Sequence, residues 1–475
     1  MTAEPNEEVL ALDAGEPASK GKVLSWAIWD WGTQPYSTVI ITFVFGGVYI
    51  ISKAFGPPNY TASALALTTA IAGVLVAFLA PVLGQNSDRN SRTVRDWRIQ
   101  TYLLILLSAS LFFIKPAPAF LWPGLILLAL GTVVNEISGV NYNAMLDEVA
   151  GQRNVGRVSG FGWGMGYLGG IVVMLILFVG FLGPDVGWFG VTAADGMNVR
   201  VSMLGCALWT LIFTIPTFIV LKDRHIPKPD RDNPWAGRRP AWLWRFFGIF
   251  RSVGVAYADL ARSLRSLWRR SRGTVWFLLA SALFRDGLNG IFVFGAVIAS
   301  LSFGFEASEV IIFGAAANVL AGISTMLFGL LDDRIGPRRV ILISLGALIA
   351  LAATVFFLHG AVAEDQRKMV FWVAGLGLTL FVGPAQAASR SYLSRLIPQG
   401  KSGEIFGLYA TTGRAVSFIS PALFGAFVAL GALLTRDENT TIWGIWGIII
   451  VLVGGLVAML FVKEHTETQN AFVKK

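Results

Sequence analysis

Long apolar runs, each closed by short polar punctuation, repeat along almost the whole chain. A helix that crosses a bilayer needs about 20 apolar residues. On that basis the pattern predicts twelve helices, over residues 24–51, 62–84, 97–114, 119–145, 157–182, 200–221, 274–300, 307–331, 339–358, 369–392, 404–430 and 441–462. The breaks are chemically plain: Gly56-Pro57-Pro58, Lys115-Pro116 and Gly183-Pro184-Asp185 are poor places to continue a membrane helix. The helices fall into two sets of six, residues 24–221 and 274–462. A basic linker, 222–273, joins them. Residues 1–23 and 463–475 read as cytoplasmic tails, the first disordered.

Composition narrows the class. Apolar residues make up 55% of the chain and charged residues 14%, with mean hydropathy +0.63. A soluble protein carries roughly 25% charged residues, so a soluble enzyme and a disordered chain are both excluded. The expected fold is an all-α membrane protein, with twelve transmembrane helices in two parallel six-helix halves around a central cavity. No secretory signal precedes it: residues 1–19 hold five acids and no base, the reverse of a signal n-region. Cys206 is the lone cysteine and lies in an apolar run. His225, His359 and His465 have no second ligand at metal spacing. No metal, no cofactor and no catalytic residue is expected, and no phosphate-binding loop points to ATP.

Charge is informative only by segment. The 38 Lys and Arg against 29 Asp and Glu give a net +9. Residues 222–272 hold 13 bases and four acids, and the remainder holds 25 of each. The whole excess therefore sits in the linker. Its second half mixes arginines with Trp242, Trp244, Phe246, Phe247, Phe250, Leu260, Leu264, Leu267 and Trp268. That mixture predicts an amphipathic helix on the anionic inner leaflet, and no nucleic-acid motif accompanies it. With both termini inside, six bases fall in outer loops, three inside helices and 29 on the inner side. The bias fits cytoplasmic termini, in the plasma membrane if the source is bacterial.

The two sets of six share landmarks. Gly84–Arg92 reads GQNSDRNSR and Gly329–Arg339 reads GLLDDRIGPRR, each with Gly and then Asp-Arg four residues on, at an offset of 245. Leu146, Gln152, Gly156 and Gly160 match Leu393, Gln399, Gly403 and Gly407 at an offset of 247. The chain is therefore read as a tandem repeat of six helices in one orientation, the plan of a rocking transporter. Each loop Asp sits where it can hold a helix N-terminus or an arginine of the other half. Asp88, Arg89 and Arg92 in the first half, and Asp333, Arg334, Arg338 and Arg339 in the second, are the candidate cytoplasmic gate.

These two loops carry the signature of the major facilitator superfamily, which residues 24–462 resemble. A narrower resemblance is to its vacuole-effluxer-like branch, the autophagy-related vacuolar amino-acid effluxers and their bacterial relatives. It rests on Ser25–Phe45, where Trp26, Asp30 and Trp31 match and Gly32-Thr33-Gln34 replaces Ala-Asn-Ser. Further matches are Tyr142–Gly170 and Arg285-Asp286-Gly287. The resemblance implies a small-solute exporter, with amino acids the first substrate class to test.

Charges inside a bilayer are expensive and mark function by default. Six fall inside the predicted helices: Asp30, Glu136, Arg285, Asp286, Arg390 and Arg414. Trp26, Asp30 and Gln34 are four apart and share a helix face. Arg285 and Asp286 lie near the middle of the seventh helix, with Asn289 a turn on. Asp30 and Asp286 begin their respective halves and are candidates for repeat equivalence. Gln386 lies one turn before Arg390. The substrate- or proton-binding candidates are therefore Trp26, Asp30, Gln34, Glu136, Arg285, Asp286, Asn289, Gln386 and Arg414. Glu136 and Arg414 could equally form structural ion pairs, and Arg390, near the inner edge, could snorkel. The glycines of residues 156–170 read as small-residue helix packing.

The leading expectation is a proton-coupled secondary transporter acting by alternating access as a monomer, with a small-molecule substrate, protons and lipid as partners. The alternatives are a non-transporting membrane receptor or scaffold, and a multidrug or sugar porter of the same fold.

Overall fold

The computed structural model describes residues 19–90, 92–151, 154–223, 272–397, 402–437 and 439–462. The expected amphipathic helix of the linker, the 463–475 tail and nearly all of the 1–23 tail lie outside the described residues. So does the side chain of Arg89.

Among the described residues twelve long helices follow one another, with short helical turns between some of them. The first half holds α1 (Lys20–Pro35), α2 (Pro58–Asn90), α3 (Thr93–Ser110), α4 (Leu121–Ala144), α5 (Val155–Leu177) and α6 (Met197–Val220). The second holds α7 (Arg272–Phe303), α8 (Ala307–Ile335), α9 (Pro337–Ala361), α10 (Glu364–Leu396), α11 (Ser402–Val416, resuming as Ile419–Thr435) and α12 (Gly444–Leu460). Ten of them are long and apolar enough to cross a membrane; α1 and α3 complete the two sets of six. Most helices overrun the apolar runs by several residues. Hydropathy marks the hydrocarbon core, while backbone hydrogen bonding carries a helix on into the polar zone.

Two irregularities have identifiable causes. Pro35 ends α1 because it has no N–H and its ring crowds the carbonyl four residues back. The chain continues in π-helical turns, Tyr36–Phe43 and Phe45–Tyr49, where Val44 and Tyr49 donate to carbonyls five residues back, both at 2.9 Å. Pro421 does the same to α11. A continuous helix would press its ring on the Ser417 carbonyl, and the helix breaks at Ser417–Phe418. Between α8 and α9 the turn is made by Gly336, at φ +89°, a conformation that side chains resist, followed by Pro337 at the first helical position.

Helix packing inside the first half rests on aromatic rings. Trp26 stacks on Tyr142 at 4.1 Å between centroids, and Trp29 packs on Tyr142 and Trp97. Two of the indole N–H groups find partners inside the cluster: Trp26 donates to the Tyr142 carbonyl and Trp29 to Thr101 Oγ1, each at 3.0 Å, while the buried N–H of Trp97 has none among the described residues. α1 is thereby fixed against α3, α4 and α5.

Candidate functional site

The seven small positions of α5 form two stripes with different partners. Gly162, Gly166, Gly169 and Gly170 face α1, where a Cβ would meet Trp26, Asp30, the Trp31 backbone and Gln34 respectively. Gly156, Gly160 and Gly164 face α8 in the other half, meeting Asp332, the Thr325 carbonyl with Gly329, and Gly322 with Met326. The first stripe seats α1; the second lets the halves touch backbone to backbone. In the second half Gly403 and Gly407 do the same against Gly84 and Ala80-Pro81 of α2.

These close approaches end in two matched carboxylate contacts. Asp88 of α2 accepts hydrogen bonds from the N–H groups of Gly403 and Glu404, at 3.0 and 2.9 Å. Asp333 of α8 accepts from the N–H groups of Gly156 and Arg157, at 2.8 and 3.0 Å. Each carboxylate crosses to the other half and satisfies otherwise orphaned N–H groups at a helix start. The second contact is reinforced. Arg395 of α10 reaches Asp332 and Asp333, both at 3.0 Å. Of the remaining gate candidates, Arg338 donates to the Leu460 carbonyl within its own half at 3.1 Å, and Arg92, Arg334 and Arg339 are exposed. Arg395 and Asp332 are the members that sequence reasoning missed. Asp332 is masked in the pattern by its neighbour Asp333, and Arg395 lies two residues past the repeat landmark Leu393.

Deeper in, Arg390 of α10 is 1% exposed and does not snorkel. Its Nε donates to Ser159 Oγ at 3.0 Å, one terminal nitrogen to Asn143 Oδ1 at 3.0 Å, and the other to the Ser159 carbonyl at 2.6 Å. The rings of Trp26, Tyr142 and Trp163 surround its guanidinium at 4.9–5.3 Å. All these partners belong to the first half. Asp30 has no hydrogen-bonding partner among the described residues, and the cation acting on it electrostatically is Arg390. Trp26, Asp30 and Gln34 do share one face, and Arg390 completes it.

Beyond this layer lies a cavity of about 190 Å³. Ser37 and Ile41, presented by the π-helical turns after Pro35, line it with Thr68, Thr69, Thr132, Asn135, Glu136 and Arg414. Glu136 of α4 and Arg414 of α11 form an ion pair across the halves, each about one-third exposed. The two residues left open as functional or structural are each other's partner, and the pair borders the cavity.

Arg285 and Asp286 are held inside the second half. Arg285 donates to the Tyr409 carbonyl at 2.9 Å and lies 3.8 Å over the Tyr409 ring. Asp286 accepts from the Ser420 N–H at 2.7 Å. Asn289 and Gln386 make no hydrogen bond among the described residues, and Asn289 is exposed. The candidate equivalence of Asp30 with Asp286 fails. Gly166 and Gly413 are 247 apart, and their Cβ positions meet Asp30 and Arg285 respectively. Repeat-equivalent positions thus carry opposite charges.

Two six-helix halves, matched contacts across one face and a polar cavity between them define a transporter of the major facilitator type. The solved proton:xylose symporter XylE overlays with TM-score 0.65 at 13% identity, covering 94% of this chain and 95% of that one. A bacterial homologue of the iron transporter ferroportin, solved outward-facing, gives 0.62 at 15%, covering 93% and 98%. These likenesses show the fold. The sequence profile described as vacuole effluxer Atg22-like matches residues 49–471, and the chain belongs to that family. An uncharacterized MFS-type transporter of Bacillus subtilis, YxiO, is 26% identical over 94% of this chain and 95% of its own length. Autophagy-related protein 22 of Yarrowia lipolytica is 26% identical over 62% of this chain, which spans about half the length of that relative. The protein is a multi-pass membrane transporter, not an enzyme.

Proposed function

We propose that this transporter exports a small solute, with amino acids the leading class, by proton-coupled alternating access. The gated side faces the cytoplasm. The observation that carries this reading is the placement of the matched Asp88 and Asp333 contacts on one side and the Glu136–Arg414 cavity beyond them. Such an arrangement is a transporter closed on one face with its polar site toward the other. Asp88 and Asp333 then act as the gate, and its opening breaks both contacts together.

A cavity of about 190 Å³ suits a solute of a few heavy atoms. One carboxylate and one guanidinium on its wall are a matched pair that a zwitterion could replace with its own charges. Asp30 is the proton carrier of choice, a carboxylate facing glycine with Arg390 as the cation acting on it among the described residues. The chain acts as a monomer in a bacterial-type plasma membrane, with anionic inner-leaflet lipid as the partner expected for the basic linker.

Reconstitution in liposomes under an imposed pH gradient tests this. Amino acids, small peptides, sugars and lipophilic cations are offered in turn. Gradient-driven flux of an amino acid, lost in Asp30→Asn, is the expected result. Absence of gradient-dependent flux for every solute would overturn coupled transport. Flux that survives Asp30→Asn and Glu136→Gln would overturn the residue assignment alone.

A further inference from the structure

The break in α11 leaves buried oxygen atoms that nothing in the transport reading uses. Ser420 would donate its N–H to the Val416 carbonyl in an unbroken helix. It donates instead to Asp286 Oδ2. Among the described residues no backbone N–H crosses the break to the Val416 carbonyl. The other oxygen of Asp286, Oδ1, is buried and has no hydrogen-bond partner among the described residues, and neither has the hydroxyl of Ser420. Asp286 is 4% exposed and Ser420 0%. Gly290, one turn after Asp286, makes room for the hydroxyl: a Cβ there would lie 2.1 Å from Ser420 Oγ.

The neighbouring charges do not neutralise Asp286. Arg285 is turned away to the Tyr409 carbonyl and ring. α12, packed against this stretch of α7 through Leu452 and Ile448, carries no titratable side chain between Gly444 and Leu460. On α11, Tyr409 and Arg414 are engaged with Arg285 and Glu136. A buried carboxylate with one unmet oxygen is costly unless a positive charge joins it. Broken membrane helices offer such a charge their unwound backbone carbonyls, and here a carboxylate and a hydroxyl stand at the break as well.

We propose that Asp286 and Ser420, at the α11 break, form a monovalent-cation site taking sodium or a proton. One carboxylate with neutral oxygens matches a single positive charge; a divalent ion would call for more carboxylates. The site lies wholly within the second half, apart from the Glu136–Arg414 cavity. It rests on the coupled-transporter reading only for its use, since occupancy is read by binding and not by flux.

The test uses the purified full-length protein in lipid nanodiscs, with Asp286→Asn and Ser420→Ala beside the wild type. Ser420→Ala keeps the backbone N–H that Asp286 accepts and removes only the hydroxyl. Radioactive sodium binding is measured in choline-balanced buffer, and the protonated-carboxyl infrared band is followed across pH without sodium. Saturable sodium binding, abolished in Asp286→Asn and weakened about 10-fold or more in Ser420→Ala, identifies a sodium site. No sodium binding, with a titrating carboxyl band that Asp286→Asn removes and Ser420→Ala shifts, identifies a proton site. If neither signal differs between the wild type and the folded variants, Asp286 is a helix cap and the proposal falls. Should Asp286→Asn fail to fold, Ser420→Ala alone decides: unchanged sodium affinity and an unchanged band overturn it.

Discussion

Asn143 and Arg390 lie 247 residues apart, the spacing of the internal repeat, and their side chains hydrogen bond to each other at 3.0 Å. Equivalent positions of a two-fold repeat can meet only near the axis that relates the halves. The pair therefore sits on the seam, and the repeat has diverged there into a donor and an acceptor. Because Arg390 makes its three hydrogen bonds to the first half, separating the halves strips it of all of them.

Arg390→Ala should thus destabilise the gated-side-closed state by about 2–4 kcal/mol, since it leaves buried partners on Asn143 and Ser159 unpaired. Arg390→Lys keeps the charge but cannot fork to three acceptors, and should recover less than half of the loss. Thermal unfolding in detergent reads the stability. A double-mutant cycle with Asn143→Ala should show a coupling of about 1 kcal/mol. Additive effects would mean that the contact carries no energy.

The gate predicts an asymmetry. Asp88 and Asp333 hold equivalent helix starts, yet among the described residues only the second contact has an arginine behind it, Arg395. The position equivalent to Arg395 in the first half is Glu148. Asp333→Asn should therefore loosen the gated side more than Asp88→Asn. Cys206 is the lone cysteine and is buried in an apolar core, so its replacement by Ala leaves a cysteine-free background for a probe at Gln85. Labelling of that probe by a bulky maleimide should quicken in both variants, and more in Asp333→Asn. Equal labelling in all three proteins would exclude the gate role.

The helices, their grouping and the repeat were legible because a bilayer imposes a length and a hydropathy on every crossing. The face of Trp26, Asp30 and Gln34 was legible too, because a four-residue spacing fixes one side of a helix. What lay across from that face was not. Asn143, Ser159, Trp163 and Arg390 are brought together from three helices by the approach of the halves, and no local pattern records that. The α11 break was missed although Pro421 stands in the sequence, because the apolar run continues through it. The pairing of Glu136 with Arg414 could be guessed from charge balance but not assigned, since four other intramembrane charges compete.

Glycine substitutions separate the two stripes of α5. At Gly160 an added methyl meets the backbone of α8, at 2.5 Å from the Thr325 carbonyl and 2.9 Å from Gly329, so the helices must part. At Gly407, its repeat equivalent, the methyl meets Pro81 and Ala80 of α2. Gly160→Ala and Gly407→Ala should each bias the protein toward opening on the gated side, read by faster labelling at Gln85. Gly166→Ala meets only the Asp30 carboxylate, 3.0 Å away. It should leave the labelling unchanged while altering any proton dependence of flux. A Gly160→Ala protein that labels like the wild type would show that the halves do not depend on backbone contact.

The mouth of α8 carries a pH effect outside the membrane spans. Glu309 is held below the ordinary carboxylate range, chiefly by the hydrogen bond from Lys368, with the Glu306 N–H adding to it. A depressed carboxylate contributes stability above its unfolded pKa and loses it as pH falls through the folded value. Lys368→Met should therefore lower the melting temperature slightly at neutral pH, and the difference should vanish in acid below the ordinary glutamate range. A difference that persists in acid would assign the effect to Lys368 packing over the Phe305 ring instead.

The Glu136–Arg414 pair separates stability from selection. Both side chains are about one-third exposed, so the pair is worth only about 0–1 kcal/mol to folding. On the proposed reading, its place on the cavity wall gives it far more leverage over which solutes enter. Glu136→Gln and Arg414→Gln should shift the melting temperature little and each cut flux at least about 10-fold. The charge swap, Glu136→Arg with Arg414→Glu, restores the pair but exchanges its poles. If the pair only ties the halves together, the swap should rescue flux. If it reads the substrate's own charges, the swap should keep the fold and leave flux impaired, because a bound zwitterion would have to reverse inside walls that remain unchanged. Full rescue by the swap would count against a zwitterionic substrate held by these two residues.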